Sequence, residues 1–392
     1  MAIESLREVL EPGSLVKYKD GEYIFKLSSY KGNPIIRPED LDLVWSVEGV
    51  KYIGAVFNGG ATIYGNKIIL APRCHKEYIR KSHYNSTLGI TRYYMEEYIS
   101  RVYILESMDG VHFKPRDSII LKESGDGDFK YGIEDIRIIN FLEEEYILIG
   151  CGKKIPPFMG SGGDRIAIYT TKDFRDIRYR GIIDEFDSRN AVIFPEYIDG
   201  RLYMIFRFHP NIHIDSLKYG IEQLYNPRVF RSEWLEIYRN RGRNILLKAG
   251  EYPHEDEKIG AGPPPIATKE GWLLIYHSVG YIDKSITKLY GLDKPIVRGY
   301  SVSAALLDIN DPRIVLYRTK LPIYIPNKPW EYEGSDEYPV DIPYVVFPTG
   351  LIDVGGRVAI YAGAGDKYMI LLSADLDALI DYIVKYGERY AK

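Results

Sequence analysis

The chain has 392 residues, 51 of them basic and 55 acidic, with a formal net charge of −4; 27% are charged and 45% hydrophobic. This is the composition of a folded globular protein and excludes a disordered one. No apolar run is long enough for a membrane-spanning helix, and the near-balance of charge argues against a nucleic-acid binder.

From the N-terminus, a short helix is expected over residues 2–10. The segment carries Glu4, Arg7, Glu8 and Glu11 and lacks the apolar stretch of a secretory leader, so a cytoplasmic setting is expected. Between about 30 and 372 the chain reads as short β runs punctuated by Gly, Pro, Asn and Asp. The runs recur as strand, tight turn, strand at Asn58–Ala71, Asp135–Gly150, Phe194–Arg207, Pro264–His277 and Phe347–Ala362. Their starts lie roughly 72 residues apart on average, a period that indicates radial repetition. The expected fold is all-β: a single five-bladed β-propeller domain spanning 1–392, with short N-terminal and C-terminal helices. Ser107–Phe113 and Thr171–Ile177 share a second pattern and read as tight turns on outer hairpins. The C-terminal helix is expected over 374–390, where Leu376, Leu379, Ile380, Ile383 and Val384 recur at helical spacing. Residues 74–100 and 211–256 read as insertions that could line an acceptor site or form surface elaboration. A homo-oligomer built through the terminal helices is possible on this reading.

Composition adds two points. A single Gln beside abundant Ile, Lys, Arg and Glu is a hyperthermophile pattern. Two cysteines, Cys74 and Cys151, give no disulfide framework, and the seven histidines show no metal-binding spacing, so no metal or cofactor is expected.

Loops at one mouth of a propeller converge, so polar residues at the repeat edges are the candidate site. Before or at the first strands stand Asn58, Asp135 with Arg137, Arg189 with Asn190, and Lys258. After the second strands stand Arg73, Arg207, His277 and Asp366. Asp135 is placed to act as a general acid if its pKa is raised; the plainer role is pairing with Arg137 or capping a turn. Arg189, Arg207, Lys258 and His277 would repel one another unless an anion or carboxylates intervened. Inorganic phosphate has the charge and acceptor oxygens to serve.

Gly132-Ile-Glu-Asp-Ile-Arg137, Arg189-Asn-Ala-Val-Ile-Phe-Pro195, Lys258-Ile-Gly-Ala-Gly-Pro-Pro-Pro265, Gly271-Trp-Leu-Leu-Ile-Tyr-His277 and Tyr361-Ala-Gly-Ala-Gly-Asp366 together resemble the β-mannoside phosphorylases of glycoside hydrolase family 130. The resemblance runs from about Asn33 to the C-terminal helix. It implies a five-bladed propeller and inverting phosphorolysis of β-mannosides, β-1,4- or β-1,2-linked, to α-mannose 1-phosphate, or the reverse synthesis. Inorganic phosphate is then the co-substrate and a β-mannoside oligosaccharide the substrate. By the same resemblance Asp135 is the catalytic acid, protonating the glycosidic oxygen through the 3-hydroxyl of the bound mannose. Arg189, Asn190, Arg207, Lys258 and His277 match the phosphate pocket, Tyr300 aligns with a pocket tyrosine across an insertion at 281–299, and Asn58, Arg73 and Asp366 match residues that hold the mannose. Arg137 completes the substrate-binding set. The chain departs from the family at Ile136, where proline is usual, which bears on how the acid is positioned. A β-mannoside hydrolase on the same fold and a non-catalytic carbohydrate-binding propeller are the alternatives.

Overall fold

The computed structural model describes residues 2–86, 90–121, 127–156, 162–333 and 342–390. Five antiparallel meanders form the blades of a propeller. Blade one contains Ala55–Tyr64, Lys67–His75, Arg101–Ser107 and Lys114–Leu121. Blade two contains Ile133–Phe141, Glu145–Lys153, Asp164–Thr171 and Arg178–Ile183. Blade three contains Arg189–Ile193, Leu202–Phe208, Asn211–Leu217 and Ile245–Leu247. In blade four, Lys258–Ala261 and Ile266–Thr268 both pair with Gly271–Ile282, followed by Ile296–Leu307 and Val315–Arg318. Blade five contains Val346–Asp353, Arg357–Ala364 and Tyr368–Asp375, and its last strand is the N-terminal Ser28–Ser29. The five repeated hairpins are the two innermost strands of the five blades.

Strand alternation explains the packing between blades. Along Lys67–His75, Ile68 and Leu70 pack with Ala359, Tyr361 and Leu371 of blade five, whereas Ile69 and Ala71 pack with Ile136, Ile138 and Leu148 of blade two. Successive side chains point to opposite faces of a strand. A sheet buried on both faces therefore reads as a continuous apolar run, as Ile68 to Ala71 does.

First strands of neighbouring blades crowd the axis. A Cβ at Gly60 would stand 2.4 Å from the Ile136 carbonyl oxygen, and one at Gly350 would stand 2.7 Å from the Ala61 Cβ. Glycine permits this approach.

The turns at Ser107 and Thr171 do join the third and fourth strands of blades one and two. In each, an aspartate accepts two backbone N–H bonds across the turn: Asp109 from Val111 and His112, Asp173 from Arg175 and Asp176.

Two expectations need correction. The segment 211–256 is not one insertion, because it contains the third and fourth strands of blade three. Between them lie the helices Ile221–Tyr225 and Arg231–Asn240, whose Trp234 is fully buried and donates to the Pro227 carbonyl at 3.0 Å. Trp234 is thus a core residue rather than part of an acceptor surface. The C-terminal helix runs Leu376–Tyr386, not to 390; beyond Gly387, Glu388–Arg389 pairs with Val315–Arg318. Its start is set by Asp375, whose carboxylate caps Ala378 N at 3.0 Å. The N-terminal helix spans Ala2–Val9. Within 74–100, Ile79–Asn85 and Ile90–Glu96 form a separate hairpin between two strands of blade one.

Candidate active site

The first strands of blades one, two and three carry the same local device. Asn58, Asp135 and Asn190 have φ values of 51°, 53° and 58°, and pairing with the second strand skips at each of them. A skip of this kind is a β-bulge, and Asn and Asp tolerate the left-handed conformation better than other side chains. The bulge changes which way side chains point. In a regular strand Glu134 and Asp135 would face opposite sides, as would Arg189 and Asn190. Here all four line one cavity of about 280 Å³.

Of the candidates taken from sequence, Asn58, Arg73, Asp135, Arg189, Asn190, Arg207, Lys258, Tyr300 and Asp366 line this cavity. His277 and Arg137 do not; they lie behind its wall, 0% and 1% exposed. Arg137 does not pair with the Asp135 carboxylate. Its Nη1 donates to the Asp135 carbonyl at 2.7 Å, and its Nε and Nη2 donate to Gly262 and Ala261 carbonyls, each at 3.2 Å. It therefore fixes the bulge at Asp135 and ties blade two to blade four. Ile136 is fully buried between blades one and two, so the bulge forms without the usual proline.

At one end of the cavity the Asp135 carboxylate accepts from Asn58 Nδ2 at 2.9 Å and from Arg189 Nη2 at 2.8 Å, with Arg73 Nη1 at 3.6 Å. Burial pushes its pKa up, but the fields of Arg189, Arg73 and Arg137 and the Asn58 hydrogen bond outweigh that and hold it well below the usual carboxylate range. Asp366 goes the other way. Burial, assisted by the charge of Asp135, pushes it up to about 7 against the pull of Arg73. The raised pKa that the general-acid reading of Asp135 asks for is thus not given by its protein surroundings alone.

Glu134, Tyr98 and Lys153 also line the cavity and were missed in the sequence. Tyr98 stacks on His75 at 4.1 Å between ring centroids, and His75 accepts from Arg73 Nε at 2.8 Å, which orients the arginine. Lys153 pairs with Asp164, which also faces Arg189 Nη1 at 3.5 Å.

At the other end stand Arg207, Lys258, Asn190 and Tyr300, with His277 against them. The structure resolves the expected repulsion. Arg189 is answered by carboxylates, Lys258 pairs with Glu257 at 3.1 Å, and burial together with Arg207 holds His277 neutral. Arg207 has no carboxylate partner among the described residues. Burial and Arg189 lower its pKa to about 10, which leaves it cationic at neutral pH. Arg207 Nε, both polar atoms of the Asn190 side chain and both ring nitrogens of His277 are buried without a hydrogen-bond partner among the described residues. Buried polar groups are normally paired, and an oxygen-rich anion is a ligand whose acceptors could meet these donors.

The fold and site define a five-bladed propeller with two buried carboxylates set among guanidinium groups in one cavity, and its similarity to known proteins gives its class. The sequence model of a family described as β-1,4-mannooligosaccharide phosphorylase matches residues 31–385, and the chain belongs to that family, glycoside hydrolase family 130. It is 29% identical to a β-1,2-mannobiose phosphorylase of Listeria innocua, over 93% of this chain and 99% of the relative. It is 30% identical to a 1,2-β-oligomannan phosphorylase of a Thermoanaerobacter species, over 69% of this chain and 77% of the relative. A solved β-1,2-mannobiose phosphorylase from Listeria innocua, in complex with β-1,2-mannobiose, superposes with a TM-score of 0.65 at 26% identity, covering 91% of this chain and 99% of that one.

Proposed function

We propose that the protein catalyses inverting phosphorolysis of β-1,2-linked manno-oligosaccharides to α-mannose 1-phosphate, and the reverse synthesis where that product is abundant. The observation that carries this reading is Arg207, without an ion-pair partner among the described residues, beside the unpartnered Asn190 in the cavity that Asp135 also lines, with the unpartnered His277 behind them. An inverting hydrolase needs a carboxylate base across from its acid to activate water. At that place stand cations, an amide and a tyrosine, which suit a nucleophile that is already an anion. The β-1,2 linkage is supported by the names of the relatives aligned over most of the chain.

In the proposed mechanism Asn58, Arg73 and Asp366 hold the mannose over Asp135. Arg189, Asn190, Arg207 and Lys258 bind phosphate and Tyr300 donates its hydroxyl, with His277 packed behind them. Phosphate beside Arg189 brings negative charge toward Asp135 and offsets the guanidinium field that keeps it ionised. The Asp135 pKa therefore rises when ligands bind. The proton then passes through the mannose 3-hydroxyl to the glycosidic oxygen as phosphate attacks the opposite face of the anomeric carbon. Positioning and charge stabilisation supply the rest of the rate. The single Gln beside abundant Ile, Lys, Arg and Glu supports a hot-environment source.

The test is product release from β-1,2- and β-1,4-mannobiose at high temperature, with and without inorganic phosphate. Mannose 1-phosphate formed only with phosphate, and faster from the β-1,2 sugar, is expected. Free mannose without phosphate would make the protein a hydrolase, and no product from either sugar would point to a different substrate or a binding role.

A further inference from the structure

We infer that Glu134 is a positioning residue for this reaction. It neutralises Arg73 and Arg189 from one side, so that Asp135, lying between the same two guanidinium groups, can take up a proton once ligands bind. The inference rests on the phosphorolytic reading above.

The bulge at Asp135 turns two consecutive carboxylates toward one cavity, and Glu134 is the more tightly held. It is 1% exposed, and both of its oxygens are engaged. Oε1 accepts from Arg73 Nη2 at 2.8 Å and from Ser100 Oγ at 2.9 Å, and Oε2 accepts from Arg189 Nη2 at 3.0 Å. The short contact of Arg73 thus goes to Glu134; Arg73 reaches Asp135 only at 3.6 Å. The same Nη2 of Arg189 is shared between Glu134 and Asp135. Glu134 therefore bridges the arginine of the sugar end and the arginine of the phosphate end.

Charge counting gives the consequence. Two guanidinium groups face two carboxylates here. Were Glu134 neutral, both cations would act on Asp135 alone, and its ionised form would be favoured further. The vacated charge would be available to phosphate at Arg189. The other charged groups facing Asp135 are Arg137 on its own strand and Asp366 on blade five; His75 and His277 are held neutral by burial.

Glu134→Gln tests this in the full-length protein, with wild type assayed in parallel on β-1,2-mannobiose and inorganic phosphate. The expected result is a split. The kcat falls about tenfold or more, the KM for phosphate falls, and the alkaline limb of the kcat–pH profile moves down by about one unit, since a tenfold change corresponds to one pKa unit. Glu134→Asp keeps the charge but draws the carboxylate back from Arg73 and Arg189, and is expected to move the same quantities in the same direction by less. It carries the test if the Gln variant does not fold. A folded variant with an unchanged pH limb, or one whose KM for phosphate rises, overturns the inference. Wild type without phosphate-dependent turnover would instead remove the phosphorolytic reading itself.

Discussion

Arg207 is a buried cation with no carboxylate within ion-pair distance among the described residues, Asp164 acting on it only from farther away, and a ligand is its natural counter-charge. Losing one charge-assisted contact costs about 1.5–3 kcal/mol, so Arg207→Met is expected to raise the KM for phosphate roughly 10- to 150-fold. Its melting temperature in phosphate-free buffer should hold or rise, because an unpaired buried charge is removed. An unchanged KM would place phosphate elsewhere. Asp135→Asn is expected to lower kcat by roughly 10²–10⁴-fold, the usual contribution of a positioned acid. The variant should keep the rise in melting temperature that phosphate produces; loss of that rise would mean that Asp135 shapes the anion pocket instead of supplying a proton. Arg73, Arg207 and Asp366 were legible in the sequence because they stand at matching ends of repeated hairpins. Glu134 was not, since strand alternation sends the neighbour of Asp135 to the opposite face, and only the bulge brings it back. His277 and Arg137 were found by position, but position in a repeat does not distinguish a wall residue from one packed behind it.

At the scale of the element, glycine sets how closely the first strands approach the site. Gly260 lies on Lys258–Ala261, where a Cβ would stand 2.4 Å from His277 Cε1 and 3.1 Å from Arg207 Cδ. Gly260→Ala is therefore expected to displace both side chains and raise the KM for phosphate several-fold, leaving the acid end intact. Steady-state kinetics with phosphate varied at saturating mannobiose checks this; a selective rise in the KM for the sugar would contradict it. The inner hairpins were readable because each pairs apolar strands across a short turn, Gly- or Asp-containing in every blade but the second, where it is Leu142-Glu143-Glu144. The helices Ile221–Tyr225 and Arg231–Asn240 were not. They are short, separated by Pro227, and carry charge on most exposed turns; their order comes from burying Leu224 and Trp234 against blade three.

The whole molecule closes through its N-terminal segment. Ser28–Ser29 supplies the last strand of blade five, and Asn33 clasps the neighbouring strand, its Nδ2 donating to the Leu371 carbonyl at 2.9 Å and its Oδ1 accepting from Leu371 N at 2.8 Å. Asn33→Ala leaves the buried Leu371 N–H without its partner, while the Leu371 carbonyl keeps the Tyr30 N–H at 3.0 Å, so a loss of about 1–3 kcal/mol in stability is expected, with kcat preserved well below the melting temperature. An unchanged melting temperature would show that closure does not depend on this clasp. The repeat period made five blades legible, but not which terminus closes the ring: two serines carry no strand signal of their own, and tertiary pairing alone makes them a strand. The proposed function sets Asp135 and a bound phosphate in one cavity on opposite sides of the anomeric carbon. Following β-1,2-mannobiose and inorganic phosphate by phosphorus and proton NMR during turnover tests it most directly. The account predicts that the first product is α-mannose 1-phosphate, formed in step with phosphate consumption. A first-formed β anomer, or free mannose with phosphate unconsumed, would contradict it.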